Sequence, residues 1–261
     1  MQRLFDEMTQ AAAPLTAANG AAAGSVREAP YEEILTTHTG RAVRAKTAAQ
    51  HAYVEAMRRH LVTVSVGPAG TGKTYLAIAM AVRALRDKQV SRVILSRPTI
   101  EAGEKLGYLP GDLLEKVDPH FRPLYDALQE FLGVSRFQQF LRQGILEITP
   151  LGFMRGRTFN EAFIVLDEAQ NTTVRQMRMF LTRMGYGSRV VVTGDRTQID
   201  LPTPRDSALT TLRQVLGEVG DVAFVDLSAR DVIRHELVKK IIRAYEAYFQ
   251  EPGDGGGAAG A

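Results

Sequence analysis

The chain of 261 residues contains no cysteine. This absence excludes a disulfide framework, a thiol nucleophile and a cysteine-ligated metal, and it fits a reducing cytosol. Long apolar runs are also missing, because no stretch reaches the roughly eighteen residues that a membrane-spanning helix needs. Residues 1–10 contain acids and no apolar core, which argues against a secretory signal. We therefore expect a cytoplasmic protein with no membrane partner.

The composition is that of a soluble globular protein, with 45% hydrophobic and 23% charged residues. The length allows one large core, with at most a small appendage. The formal net charge is +3 and the isoelectric point is about 9.2. This mildly basic balance permits a nucleic acid as partner without establishing one.

A glycine-rich loop is the most specific motif of the chain. Residues 67–74 read GPAGTGKT, directly after the apolar run Leu61–Val66 and directly before a predicted helix. In that setting the loop N–H groups and the helix N-terminus bind phosphates, so a chance glycine-rich turn is disfavoured. Lys73 would contact the β- and γ-phosphates, and the Thr74 hydroxyl would be a ligand of Mg²⁺. The predicted nucleotide-binding loop consists of Gly67, Pro68, Ala69, Gly70, Thr71, Gly72, Lys73 and Thr74.

An acidic strand end supplies the second half of such a site. The apolar run Phe163–Leu166 is followed by the sequence DEAQ at 167–170. Ligands of parallel sheets bind at the carboxyl ends of the strands, so this end is expected beside the loop. Asp167 would hold the Mg²⁺ shell, and Glu168 would deprotonate a water for attack on the γ-phosphate. The second carboxylate favours hydrolysis over phosphoryl transfer to a small acceptor, and a solvated acidic turn is the alternative.

Two further polar positions are candidates for the same site. Asp195 and Gln198 follow the apolar run Arg189–Thr193, and they would sense the γ-phosphate or the attacking water unless they form a plain turn. Gln50 begins a predicted helix before the first strand, and it could read the adenine edge through both its amide donor and its amide acceptor. A solvated glutamine is the alternative for Gln50.

A basic helix follows the acidic strand end. Residues 169–194 contain no acid, whereas Arg175 and Arg178 share one face of the predicted helix. The predicted apolar face consists of Val174, Met177, Leu181 and Met184. The arginine face would bind nucleic acid or another subunit, with a solvated helix face as the alternative. Arg155 and Arg157 form a second basic turn before the acidic strand.

The order of the segments predicts an α/β fold of the RecA-like P-loop NTPase type. Six apolar runs separated by helical patterns indicate a mostly parallel sheet with helices on both faces, preceded by a small N-terminal hairpin. We expect a flexible alanine-rich arm at 1–29, the ATPase domain at 30–250 and a disordered glycine-rich tail at 251–261. The runs are Leu61–Val66, Val93–Ser96, Ile145–Ile148, Phe163–Leu166, Arg189–Thr193 and Val222–Val225.

The assembled segments resemble the PhoH family of ATPases, whose motifs are in turn similar to those of superfamily 1 helicases. The matching segments are KTAAQHAYVEAM, GPAGTGKT, SRPTIEAGEKLGYLPGDLLEKVDPHFRPLYDAL, GFMRGRTFNEAFIVLDEAQNTT, VVVTGDRTQIDLP and ARDVIRHELVKKI, and they span roughly 40–246. The resemblance implies ATP and Mg²⁺ as ligands, with Gln50 at the adenine and Lys73, Thr74, Asp167 and Glu168 in the ATPase core. It also implies that Gln198 is linked to the γ-phosphate and that Arg234 is an arginine finger, with Arg230 as the second choice.

The resemblance implies an ATPase that binds or remodels RNA, in a helicase-like manner and in connection with rRNA processing. The alternative is an ATP-dependent switch that acts on a protein partner such as an endoribonuclease. Longer members carry an additional N-terminal domain, whereas we expect only the arm in this sequence, and a nuclease fusion seen in a related branch is not expected here. Because one RecA-like core lacks the second wall of the cleft, we expect a homo-oligomeric ring, a hexamer, to complete the site.

Overall fold

A computed structural model describes residues 31–98, 113–233, 237–238 and 241. The predicted arm, the predicted tail and Arg234 lie outside these residues. Within the described part, no helix combines the length and the apolar character needed to cross a membrane.

The elements alternate between strands and helices along the chain. The strands are β1 Glu33–Thr36, β2 Ala42–Arg44, β3 Val62–Val66, β4 Arg92–Arg97, β5 Leu146–Pro150, β6 Ala162–Leu166, β7 Arg189–Gly194 and β8 Val222–Asp226. The helices are α1 Ala48–Arg59, α2 Lys73–Arg86, α3 Leu113–Leu132, α4 Val134–Arg142, α5 Val174–Leu181 and α6 Ala208–Leu216. Short 3-10 turns at Leu151–Met154, Ala169–Asn171 and Ala229–Asp231 follow β5, β6 and β8.

Six strands form one sheet in the order β5-β4-β6-β7-β3-β8, and every pair is parallel. This arrangement confirms the predicted RecA-like α/β class, and each of the six apolar runs corresponds to one strand. Strands β1 and β2 pair antiparallel as the predicted hairpin. The loops at the carboxyl ends of β3, β6 and β7 are neighbours because these strands lie in the middle of the sheet.

Helices cover both faces of the sheet, as the alternation of strands and helices predicts. Along β7 the side chain of Val191 belongs to one core cluster, and those of Val190 and Val192 belong to the other. The first cluster contains residues of α1–α4 and of the hairpin, whereas the second contains residues of α5, α6 and the turn Leu151–Met154. Such two-sided burial explains why the strands are apolar almost throughout.

Two helices differ in detail from the sequence-based expectation. Helix α1 begins at Ala48 and not at Gln50, because the Thr47 hydroxyl caps it by accepting a 3.2 Å hydrogen bond from the Gln50 N–H. In α5 the prediction that Val174 belongs to the core-facing side is wrong, since this first residue of the helix is 52% exposed. Phe180, which the predicted stripe omitted, is buried in its place.

Candidate active site

The loop between β3 and α2 depends on glycine at three positions. Gly70 and Gly72 adopt φ values of 81° and 83°, in the left-handed region that other residues adopt at a cost. A Cβ atom on Gly67 would lie 2.5 Å from the Leu227 carbonyl oxygen, so only glycine allows the backbone after β8 to approach this closely. Helix α2 begins at Lys73, which places its free N–H groups at the loop.

The Lys73 ammonium lies inside this loop. Its Nζ donates hydrogen bonds of 2.6 Å to the Gly67 carbonyl and 2.8 Å to the Pro68 carbonyl. Burial lowers the pKa of Lys73, and the nearby carboxylates of Asp195, Asp167 and Glu168 act in the opposite direction. The arrangement concentrates one positive charge beside the backbone N–H groups, which suits an anionic ligand such as a phosphate.

Asp167 is buried at the end of β6 and accepts from three side chains. Its Oδ1 accepts from the hydroxyls of Thr74 and Thr193, each at 2.6 Å. Its Oδ2 accepts from Arg97, at 2.8 Å from Nε and at 2.5 Å from Nη2. All three side chains donate hydrogen bonds to Asp167. The Asp167 carboxylate is therefore held in place, as an acceptor, next to the glycine-rich loop.

The pair of Thr74 and Asp167 fits a magnesium ion. A hydroxyl and a carboxylate oxygen meet there, and Mg²⁺ is bound by one or two such protein ligands together with water and phosphate oxygens. Among the described residues, no group of three or more His, Cys, Asp or Glu could hold a metal by itself. The residues present therefore fit a magnesium ion that arrives with a nucleotide, where it would neutralise phosphate charge.

Glu168 has a different environment from Asp167. Its backbone adopts φ 56° and ψ 37°, a left-handed conformation that is uncommon for a residue with a side chain. The side chain is 43% exposed and lies 4.0 Å from Arg97 Nη2. Gln170 Nε2 donates a 2.6 Å hydrogen bond to Glu168 Oε2. Glu168 is thus a solvent-accessible carboxylate held in one orientation beside a buried one.

The turn after β7 brings Asp195 and Gln198 to the same place. The Asp195 N–H donates a 3.0 Å hydrogen bond to Gln170 Oε1, which connects this turn to the turn that holds Glu168. Asp195 Oδ1 accepts from the Thr197 N–H, and Oδ2 accepts from Gln198 Nε2 at 3.0 Å. The Asp195 carboxylate therefore orders the turn and orients the Gln198 amide.

These residues surround a cavity of about 250 Å³ at the carboxyl edge of the sheet. The glycine-rich loop, the acidic strand end and the turn after β7 all contribute, which brings together the three clusters that the sequence analysis proposed. The lining residues are Ala69, Gly70, Gly72, Lys73, Thr74, Tyr75, Asp167, Glu168, Gly194, Asp195 and Gln198.

Gln50 contacts the loop rather than presenting a free amide. It is 2% exposed, its Nε2 donates a 2.9 Å hydrogen bond to the Thr71 carbonyl, and its Oε1 accepts from the Lys46 N–H at 2.7 Å. The donor and the acceptor that adenine reading requires are both engaged by the chain's own backbone. Adenine recognition by Gln50 stays a prediction. In this structure the hydrogen bonds of Gln50 stabilise the glycine-rich loop.

The segment after β8 lies against the other side of the loop. The Ile233 N–H donates a 2.9 Å hydrogen bond to the Gly70 carbonyl. Asp231 fixes the preceding turn, since Oδ1 accepts from the Thr47 hydroxyl at 2.6 Å and Oδ2 accepts from the Ser228 N–H at 2.8 Å. Arg230 is exposed on this turn, close in sequence to the contact with the loop.

Sequence reasoning missed the contacts through which three residues organise the site: Arg97, Gln170 and Thr193. Arg97 and Thr193 lie at the ends of β4 and β7, the two neighbours of β6, so their proximity to Asp167 follows from the strand order. Gln170 belongs to the DEAQ sequence itself. Its role could have been suspected because its side chain has both a donor and an acceptor and can join two neighbouring groups. The strand order was the missing information in the first two cases.

Comparisons with known proteins identify relatives of this chain. The family model described as PhoH-like protein matches residues 42–246. A PhoH-like protein of Mycobacterium tuberculosis (strain ATCC 25618 / H37Rv) is 51% identical over 89% of this chain and 66% of its own length. A PhoH-like protein of Bacillus subtilis (strain 168) is 51% identical over 84% of this chain and 69% of its own. The chain thus spans just under two thirds of the mycobacterial relative.

Solved structures show a weaker likeness. The Sulfolobus solfataricus SWI2/SNF2 ATPase core in complex with double-stranded DNA aligns with a TM-score of 0.43 and 13% identity, over 71% of this chain and 45% of that one. The fold assignment rests on the strand order and the loop geometry and not on this alignment. The match over most of the described core, with the P-loop and the acidic strand end inside it, shows that the chain belongs to the PhoH-like protein family.

Proposed function

We propose that this chain binds ATP with Mg²⁺ and hydrolyses it. The observation that carries the proposal is the convergence of Lys73, the Thr74–Asp167 pair and Glu168 on one cavity at the carboxyl edge of the sheet. The loop N–H groups and Lys73 bind the phosphates, and Thr74 and Asp167 hold the magnesium ion.

Glu168 is the general base for the attacking water. Asp167 is saturated with donors, whereas Glu168 is 43% exposed and keeps one carboxylate oxygen that no hydrogen bond within the described residues engages. A general base must lie within hydrogen-bond reach of the water, and the cavity wall gives Glu168 that access. Gln198, oriented by Asp195, contacts the γ-phosphate or the same water.

ATP hydrolysis is coupled to the binding or remodelling of RNA in the cytoplasm. The role is helicase-like and belongs to a process such as rRNA processing. Arg175 and Arg178 are exposed on α5, and neither has an ion pair with any described residue. Helix α5 begins a few residues after Glu168, with only the 3-10 turn Ala169–Asn171 and the capping residues between them. RNA that contacts α5 would therefore act on the turn that orients the base.

The active form is a homo-oligomeric ring, a hexamer, in which a neighbouring subunit supplies an arginine finger. The turn that carries Arg230 lies beside the loop, and Arg234 follows it in the chain, outside the described residues. We assign the finger to Arg234, with Arg230 as the second choice. An arginine finger contributes roughly 10³- to 10⁵-fold to the rate of phosphoryl transfer.

The test is ATPase activity of the purified chain with and without single-stranded RNA, over a range of salt concentrations. Replacing Arg175 and Arg178 by Ala should raise the RNA concentration needed for half-stimulation and leave basal hydrolysis unchanged. Arg142→Ala on α4, on the other face of the sheet, removes one exposed arginine as the control. Hydrolysis that ignores RNA but responds to an endoribonuclease would support the switch on a protein partner instead.

A further inference from the structure

One aromatic side chain at the active-site edge of the sheet is exposed although its neighbours are buried. In the 3-10 turn Leu151–Met154, which directly follows β5, Leu151 is 2% exposed and Met154 is 0% exposed. Phe153 between them is 55% exposed. The two buried neighbours belong to the core cluster that includes Met177 of α5. The turn is therefore fixed to the core on one side while it presents an aromatic ring to solvent on the other.

Two glycines close to Phe153 in the sequence face open space. A Cβ atom on Gly152 or on Gly156 would meet no heavy atom within 4 Å. Gly156 adopts φ 79°, in the left-handed region that glycine adopts readily. Because Phe153 itself is 55% exposed, a planar group of a ligand can reach the exposed part of its ring.

The two arginines of this segment have different surroundings. Arg157 forms an ion pair with Glu147, and its guanidinium lies 4.6 Å from the centroid of the Phe159 ring, so its role is structural. Arg155 is exposed and makes no ion pair or side-chain hydrogen bond with any described residue. An exposed aromatic ring two residues from an uncompensated arginine matches the chemistry of a base and its phosphate.

Helix α5 extends the same surface. It packs against the turn Leu151–Met154, and its exposed residues Val174, Arg175 and Arg178 lie on the side away from the core. Neither arginine has a described counterion, and residues 169–194 contain no acid. The surface that runs from Phe153 to Arg178 thus carries apolar groups together with arginines that form no ion pair with any described residue. A protein partner with acidic groups would satisfy the charges, but an open aromatic face beside arginine favours a nucleic acid strand.

We propose that Phe153 is a stacking platform for one base of a single-stranded RNA, whose phosphates contact Arg155 and the arginines of α5. This inference rests on the proposed coupling of hydrolysis to RNA, and it assigns the RNA-binding site to this surface. The platform and the nucleotide cavity lie at the same edge of the sheet, because the turn follows β5 and the cavity is lined by the ends of β3, β6 and β7.

The absence of tryptophan from the sequence makes a direct test available. The variant Phe153→Trp carries the chain's one indole, and a nucleobase stacked on it should quench its fluorescence. Titration with an oligouridylate of about twelve nucleotides, within the site sizes of single-strand binding surfaces, should give saturable quenching. The control is Tyr186→Trp, at a residue that is 93% exposed before β7, at the opposite edge of the sheet. Its fluorescence should not respond to the same titration.

Affinity measurements separate stacking from charge. Phe153→Ala and Phe153→Leu should each weaken binding of the labelled oligouridylate by about 5- to 100-fold, the range for losing one stacked base. Both variants should keep the melting temperature of the wild type, since the ring is exposed. Arg155→Ala should reduce the slope of log affinity against log salt by about 0.7, whereas Arg142→Ala should not.

The outcomes distinguish the two proposals. If the wild type binds the oligouridylate but Phe153→Trp shows no quenching and Phe153→Leu binds normally, the platform is refuted and the RNA coupling survives. If the wild type does not bind the oligouridylate at all, both proposals fail. In that case the surface from Phe153 to Arg178 would have to serve a protein partner.

Discussion

Gln170 holds Glu168 in place: its Nε2 donates a 2.6 Å hydrogen bond to Glu168 Oε2, and the Gln170 side chain is buried at 1% exposure. The other end of the same amide accepts from the Asp195 N–H at 3.0 Å. One side chain therefore connects the proposed base to the turn that orients Gln198. We expect the position of Glu168 to depend on Gln170 more than on any bond that Glu168 makes to the backbone.

The first prediction concerns this connection. Gln170→Ala should lower kcat for ATP by about tenfold, since a hydrogen bond to a charged group contributes about 1.5–3 kcal/mol. The KM for ATP should change little, because the hydrogen bonds of the Gln170 side chain go to Glu168 and Asp195 and not to the phosphate-binding loop. Steady-state ATPase assays check both values, with Gln139→Ala on the exposed side of α4 as the control. A variant with unchanged kcat would show that Gln170 does not position the base.

The second prediction concerns pH and Asp231. Burial works to raise the pKa of the Asp231 carboxyl, but hydrogen bonds from Thr47 and Ser228 outweigh it, and the pKa is lowered. A carboxylate with a lowered pKa in the folded state stabilises the fold above its unfolded pKa, about 3.9, and loses that contribution as the pH falls through its folded pKa. Asp231→Asn should therefore reduce the free energy of unfolding by about 1–2 kcal/mol at pH 7.

Unfolding by urea at a series of pH values checks this dependence. The difference between wild type and Asp231→Asn should shrink as the pH falls below about 4. Asp206→Asn, at an exposed aspartate, should show no comparable difference at pH 7. A difference that persists unchanged at pH 2 would mean that the asparagine acts through packing and not through the lost charge.

The third prediction concerns the close approach of Gly67 to Leu227. A Cβ atom at position 67 would lie 2.5 Å from the Leu227 carbonyl oxygen and 2.8 Å from its Cβ, so Gly67→Ala forces backbone to move. We expect a loss of about 1–3 kcal/mol of folding stability, the usual cost of overpacking, and weaker nucleotide binding. Gly220→Ala, where a Cβ would meet nothing within 4 Å, should cost no stability. Equal stability of the two variants would contradict the contact.

The local motifs of the site could be read from the sequence because each one is contiguous. GPAGTGKT and DEAQ carry their phosphate and metal chemistry within a few residues, and the apolar runs predicted all six strands of the large sheet. The order β5-β4-β6-β7-β3-β8 could not be read in this way, because pairing between parallel strands leaves no local pattern. The roles of Arg97 and Thr193, which reach Asp167 across neighbouring strands, therefore required the structure.

The error at Val174 has a physical cause. A helical periodicity shows which residues share a face, but it does not show where the helix begins. The Thr173 capping box starts α5 at Val174, so this residue lies at the first turn and remains outside the core that Met177 and Phe180 reach. Gln50 gives a similar lesson, since the sequence cannot show that both ends of its amide are engaged by Thr71 and Lys46.

The fourth prediction concerns the ring. Arg234→Ala and Glu168→Gln should each abolish most ATPase activity when made alone, because one removes the finger and the other removes the base. Mixing the two inactive variants should restore part of the activity, since some interfaces then combine an intact finger with an intact base. A wild-type chain that is fully active as a monomer in the presence of ATP would contradict the ring.

The most direct test of the central assignment compares Glu168→Gln with Lys73→Ala in ATP binding and single-turnover hydrolysis. Glu168→Gln should bind ATP and Mg²⁺ as the wild type does while its hydrolysis rate falls by roughly 10²- to 10⁴-fold, the range for losing a positioned general base. Lys73→Ala should instead lose most of its affinity for ATP. Hydrolysis by Glu168→Gln at the wild-type rate would contradict the account.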